Sequence, residues 1–236
     1  MSIAENVAAI RQRINDTALS CGRDPKDILL CAATKMNDAS AVRQAIAAGV
    51  DCCGENRVQE LTAKLAENAY AGKPVHFIGH LQTNKVKQVV GKVDLIQSVD
   101  SLRLLEAIDR EAERQGLIQK VLLEVNIGGE ASKSGFAKEE ILPAVEKMAS
   151  FSHIFVRGLM TVPPISQEVA ESQEFFSEIS ALSVDIRRKK YDNVSVDILS
   201  MGMSGDFETA IRCGSTMIRL GTAIFGPRDY TKSHQD

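Results

Sequence analysis

Short apolar runs of strand length alternate with segments of helical period eight times in 236 residues. The runs fall at 28–34, 50–53, 75–79, 95–98, 120–127, 154–160, 196–200 and 217–220. Most are too short for a helix, and Gly, Pro or polar residues bound them, so each reads as a buried strand. Between them lie helical stripes such as Val42, Ala45 and Ile46, stopped by Gly49, and Leu102, Leu105, Ile108 and Ala112 behind a capping Ser101. A long helix is expected over 168–189, and another from the exit of the third run through Val89. One more helix precedes the first strand. Ser2 with Glu5 three residues on has the capping-box pattern, and Ile3, Val7, Ile10 and Ile14 form its stripe. Strand–helix alternation dictates a parallel sheet. Eight units at regular spacing predict a closed (β/α)8 TIM barrel with an extra N-terminal helix, as a single domain over 1–236. The rival is an open doubly wound sheet. The G-x-G-x-x-G that often follows its first strand does not occur here.

The formal charge of −3 gives no general attraction to nucleic acid or anionic membrane, so an anionic ligand must be held by local donors. Four consecutive cations, Arg187 to Lys190, close the long helix, and the macrodipole explains them as a solvated helix end. No nucleic-acid partner is expected. The five cysteines are odd in number and form no C-x-x-C, which points to a reducing compartment rather than a disulfide framework. No apolar leader opens the chain and no segment reaches membrane-span length, so a cytoplasmic protein is expected.

In such a barrel the strand exits converge on one face, and chemistry collects there. Lys35 follows the first strand, Asn56 the second, and His80 the third. Lys133 follows the fifth strand, Met203 and Ser204 the seventh, and Gly221 and Thr222 the eighth, which carries Arg219. Glycine next to hydroxyls after the last two strands suits a phosphate, because the backbone can approach the anion while Ser204 and Thr222 donate to it. Either segment alone reads as ordinary turn chemistry; the pair favours an anion site. A phosphate beside a strand-end lysine suggests a Schiff base with pyridoxal 5′-phosphate (PLP), since a partly desolvated amine reaches its unprotonated, nucleophilic form more easily. The competing reading of Lys35 is a side chain snorkelling to solvent. Arg219 could face the pyridine nitrogen and keep it unprotonated, or pair with a barrel carboxylate.

These residues sit in motifs that resemble the pyridoxal-phosphate homeostasis proteins. The resemblance rests on Ala33-Thr34-Lys35, Gly54-Glu55-Asn56, the run from His76 to Lys85, Ser132-Lys133-Ser134-Gly135, Arg157-Gly158-Leu159-Met160, Ser200-Met201-Gly202-Met203-Ser204, and the run from Arg219 to Gly226. It implies a barrel like the N-terminal domain of alanine racemase. It implies PLP as a Schiff base on Lys35, the phosphate on Ser204, Gly221 and Thr222, Arg219 at the ring nitrogen, and Asn56 and Met203 lining the pocket. His80 and Lys133 are secondary candidates. The implied role is intracellular vitamin B6 homeostasis and amino-acid balance, with PLP-dependent apo-enzymes as partners.

The enzyme reading is an amino-acid racemase. Racemisation needs an acid/base on each face of the substrate. Alanine racemase takes one of these from a second, β-rich domain, which is expected to be absent because the sequence runs only to Asp236. Lys35 would then need His80 or Lys133 as its counterpart. No metal site is expected: His76 and His80 flank a strand end, and no metal-ligand spacing occurs. A monomer is expected.

Overall fold

The computed structural model describes residues 1–130, 132–164 and 168–227. Eight parallel strands close in sequence order: β1 (Leu29–Ala33), β2 (Cys52–Glu55), β3 (Val75–Phe77), β4 (Leu95–Val99), β5 (Gln119–Val125), β6 (Ile154–Thr161), β7 (Val194–Ser200) and β8 (Met217–Leu220). β8 pairs back onto β1, with Ala32 opposite Leu220. The expected (β/α)8 barrel is the observed fold. Its α-helices are α1 (Ile3–Ser20), α2 (Ala39–Ala47), α3 (Val58–Ala66), α4 (Leu102–Gln115), α5 (Ile141–Met148), α6 (Val169–Arg187), α7 (Phe207–Arg212) and α8 (Thr222–Phe225).

The Ser2–Glu5 capping box starts α1 as its sequence predicts. Its buried stripe of Val7, Ile10, Ile14 and Ala18 packs with Leu30 and Ala32 of β1 and Ile218 and Leu220 of β8. The helix after β8 is only four residues long. α1 therefore covers the seam where the barrel closes, burying an apolar surface that α8 is too short to shield.

One predicted helix is different. Thr83–Gln88 is a 3-10 segment, not the α-helix expected through Val89. Its bonds run from Lys85 N to the Gln82 carbonyl and from Val89 N to the Val86 carbonyl, three residues back, and no side chain caps its start. Gly158 bends β6 at a register shift. Its φ is 151°, and a Cβ there would lie 1.8 Å from the carbonyl oxygen of Ile198. Among the described residues, no helix is long and apolar enough to cross a membrane.

The barrel interior begins with an apolar layer containing Leu95, Leu122, Met160 and Met217, into which Cys31 and Cys52 also project. Polar residues replace it toward the C-terminal ends of the strands, and that change marks the site.

Candidate cofactor site at the barrel mouth

Lys35 sits in the turn that follows β1. Its backbone is gripped on both sides. Lys64 of α3 donates from Nζ to the Thr34 carbonyl at 2.7 Å, and Glu60 accepts from the Met36 amide at 2.7 Å. Met36 has a φ of 62°, a left-handed conformation rarely adopted by an unbranched non-glycine residue outside constrained turns. Lys64 also meets Glu55 Oε1 at 2.5 Å, and that carboxylate accepts from Thr34 Oγ1. The group is out of solvent: Lys64 is 6% exposed and Glu55 and Thr34 are 0%. Burial raises the Glu55 carboxyl, while Lys64 and Thr34 stabilise its charged form.

The loops after β7 and β8 meet. Thr222 Oγ1 donates to Ser204 Oγ at 3.3 Å. Gly221 lies against the end of β1, where an added Cβ would touch Ala33 at 3.5–3.6 Å. Gly205, next to Ser204, faces open space. Asp206 shapes this loop by accepting from the Met203 amide at 2.6 Å, and burial raises its carboxyl. The sequence-predicted anion residues are therefore neighbours of each other and of the strand that carries Lys35.

Arg219 is 6% exposed and points into the interior, opposite Cys31 in the register. It donates from one terminal nitrogen to the Ser200 carbonyl and hydroxyl, both at 2.7 Å, and from the other to the Thr161 carbonyl at 2.8 Å. Burial lowers its pKa while Cys31, Glu124 and Asp206 support its charge. The expected alternative, a direct barrel ion pair, is replaced by carbonyl and hydroxyl acceptors. Behind it, Ser200 donates to Gln97 Oε1 at 2.6 Å, and Gln97 Nε2 meets His76 Nδ1 at 2.8 Å.

Asn56 follows β2. Its Oδ1 is buried without a hydrogen-bond partner among the described residues. Gly79 backs it so closely that a Cβ would lie 2.2 Å from the Asn56 carbonyl oxygen. His80 is exposed and holds Asp100 at 3.0 Å and Ser134 at 3.1 Å. Lys133 pairs with Glu130, and its ammonium also lies 3.5 Å from the Val162 carbonyl.

The alanine racemase N-terminal domain family matches residues 2–229. The pyridoxal phosphate homeostasis protein of Pseudomonas aeruginosa is 39% identical, with 97% of each chain covered. That of Escherichia coli is 38% identical over 98% of each. The chain belongs to this family of homeostasis proteins. Among solved structures, PipY of Synechococcus elongatus with PLP bound superposes with a TM-score of 0.82 and 32% identity, covering 95% of this chain and all of that one. Alanine racemase of Clostridium difficile shares the fold at a TM-score of 0.70 and 17% identity, covering 95% of this chain and 57% of that one.

Three groupings in this barrel are not apparent from the sequence motifs. Glu60 and Lys64 grip the Lys35 turn from α3. Glu124 of β5 lies at the mouth, where burial and Asp100 push its carboxyl up to about 7 while Arg219 and His80 oppose the shift. Cys31, Cys52 and His76 meet in the interior. The available signal for the last two was strand alternation: Leu122 faces inward, so Glu124 does too.

Proposed function

We propose that the protein binds PLP at the barrel mouth, carries it as a Schiff base on Lys35, and passes it to PLP-dependent apo-enzymes within cellular vitamin B6 balance. The observation that carries this reading is the Ser204–Thr222 contact at 3.3 Å, with Gly221 packed beside Ala33. It joins two hydroxyl donors to a backbone that an anion can approach, next to the strand ending in the lysine. The donor set fits PLP. Gly205 leaves room at the loop, and the orphaned Asn56 oxygen offers a buried acceptor.

When bound, PLP supplies an aldehyde to an amine and a phosphate to an anion site. Ser204, Thr222 and the Gly221 backbone hold the phosphate. Lys35 supplies the amine, its backbone fixed by Lys64 and Glu60. Arg219, held by Ser200 and Thr161, would present its charge to the ring nitrogen and disfavour its protonation. That arrangement suits holding the cofactor more than using it as an electron sink.

The test is direct. Full-length protein incubated with PLP should gain a visible absorption band. Borohydride should fix the pyridoxyl mass on the Lys35 peptide, and Lys35→Ala should stay colourless with an unchanged circular dichroism spectrum. A wild type that takes up no PLP, or is labelled elsewhere, overturns the assignment. Sustained racemisation of an amino acid, abolished by Lys35→Ala, would replace the carrier role with an enzymatic one.

A further inference from the structure

Three consecutive strands each contribute one metal-competent donor to the barrel interior. Cys31 of β1, Cys52 of β2 and His76 of β3 present two sulfurs and a ring nitrogen within 4.8 Å of one another. Cys31 and Cys52 are register partners, and His76 pairs with Gly54, two residues beyond Cys52. The donors are thus placed by the sheet rather than by loops. All are buried, at 0%, 3% and 6% exposure.

Buried cysteines pack as small apolar side chains, but an imidazole turned toward two of them in an apolar layer gains little from such weak partners. The site has the attributes of a ligand set. The two sulfurs belong to register-paired residues and lie, with the ring nitrogen, within 4.8 Å of one another, and thiolate is the form that binds metal. Gln97 Nε2 meets His76 Nδ1 at 2.8 Å and fixes the orientation of the ring. A ring held from behind by a polar group is the usual posture of a metal-bound histidine.

We propose that Cys31, Cys52 and His76 form a closed site for a monovalent copper ion. Sulfur and imidazole donors around a metal at 2.0–2.3 Å lie roughly 3.5–4 Å apart, within the observed limit. Zinc in a structural site takes four ligands. The fourth soft donor nearby is the Met217 thioether, 3.2 Å from Gln97 Nε2, and thioethers suit Cu+. Charge agrees: Cu+ with two thiolates is a monoanion, and Arg219 on the adjacent strand supplies the opposite charge. Binding releases the protons of both thiols to solvent and changes no oxidation state.

The readout is independent of PLP. Full-length protein is expressed in copper-supplemented medium and purified anaerobically with reductant. In a second arm it is refolded with Cu+ supplied as a weak complex. Both are desalted against a Cu+ chelator. One copper per chain with a thiolate-to-copper ultraviolet band is expected. Cys31→Ser and Cys52→Ser should each lose it, and His76→Gln should weaken retention by about tenfold or more. The Cys21→Ser/Cys213→Ser variant should keep it. The proposal is overturned by absence of copper in both arms, by equal retention in the Cys31→Ser/Cys52→Ser variant, or by retention of Zn2+ in preference to Cu+.

Discussion

Lys64→Met should destabilise the protein more than any other conservative change on α3. The ammonium has two close buried acceptors, the Thr34 carbonyl at 2.7 Å and Glu55 Oε1 at 2.5 Å, and a looser contact with Glu60 at 3.4 Å. Its removal leaves Glu55 fully buried, with Thr34 Oγ1 as its remaining strong donor. Breaking a buried pair from one side costs about 3–5 kcal/mol, because an uncompensated charge stays behind. For a chain of this size that is a fall in Tm of roughly 6–20 °C. Replacing both partners, Glu55→Leu with Lys64→Met, removes the stranded charge. The double variant should recover the roughly 3–5 kcal/mol lost by the single one and return to wild-type stability or above.

Thermal and urea unfolding of the four proteins of this cycle, followed by two probes, measure the coupling. The pair also has a positional role that stability alone does not report. Lys64 and Glu60 hold the peptides on either side of Lys35, so the double variant should regain stability and still form the PLP adduct more weakly. If Lys64→Met costs under about 1 kcal/mol, the buried-pair reasoning fails. If the restabilised double variant binds PLP like the wild type, the positioning role fails.

Further expectations concern the rest of the mouth. Burial raises the Glu124 carboxyl to about 7. A raised carboxyl contributes stability below its unfolded pKa near 4.5 and loses it as pH rises toward 7, so Glu124→Gln should stabilise the protein by up to about 3 kcal/mol at pH 8 and hardly at all at pH 4; a pH-independent difference in urea midpoint would contradict this. Ser204→Ala and Thr222→Val should each weaken PLP binding by about tenfold, the worth of one hydrogen bond to a charged group, as read by equilibrium dialysis. Gly79→Ala should displace Asn56, since the new Cβ would lie 2.2 Å from its carbonyl oxygen; a crystal structure with Asn56 unmoved would refute it.

Much of this architecture was legible because it is periodic or local. Strand runs, the Ser2–Glu5 cap and the loops after the last two strands are written in adjacent residues. The Lys35 motif was equally local, and its position at a strand end carried the inference to a mouth site. Contacts across elements were not legible. Nothing in the spacing of Glu55, Glu60 and Lys64 says that α3 turns its i, i+4 pair back onto the β1 exit. The segment after β3 takes 3-10 pitch because buried valines three apart, Val86 and Val89, fit that turn as well as an α-helical one, and spacing alone does not choose between them.

The interior polar chain shows why closure matters to such a reading. Arg219, Ser200, Gln97 and His76 come from β8, β7, β4 and β3, and they touch because a barrel brings opposite strands face to face. In an open sheet β8 would be an edge far from β3, and Arg219 would have no line of hydrogen bonds to His76. The same closure sets Arg219 level with Cys31 on the adjacent strand, so one cation lies beside the thiol pair and, in the proposed reading, beside the cofactor as well. A change of charge at either site should therefore be felt at the other. Loading of the interior site should shift the absorption of PLP at the mouth, and Arg219→Met should remove that coupling while leaving the two cysteines in place.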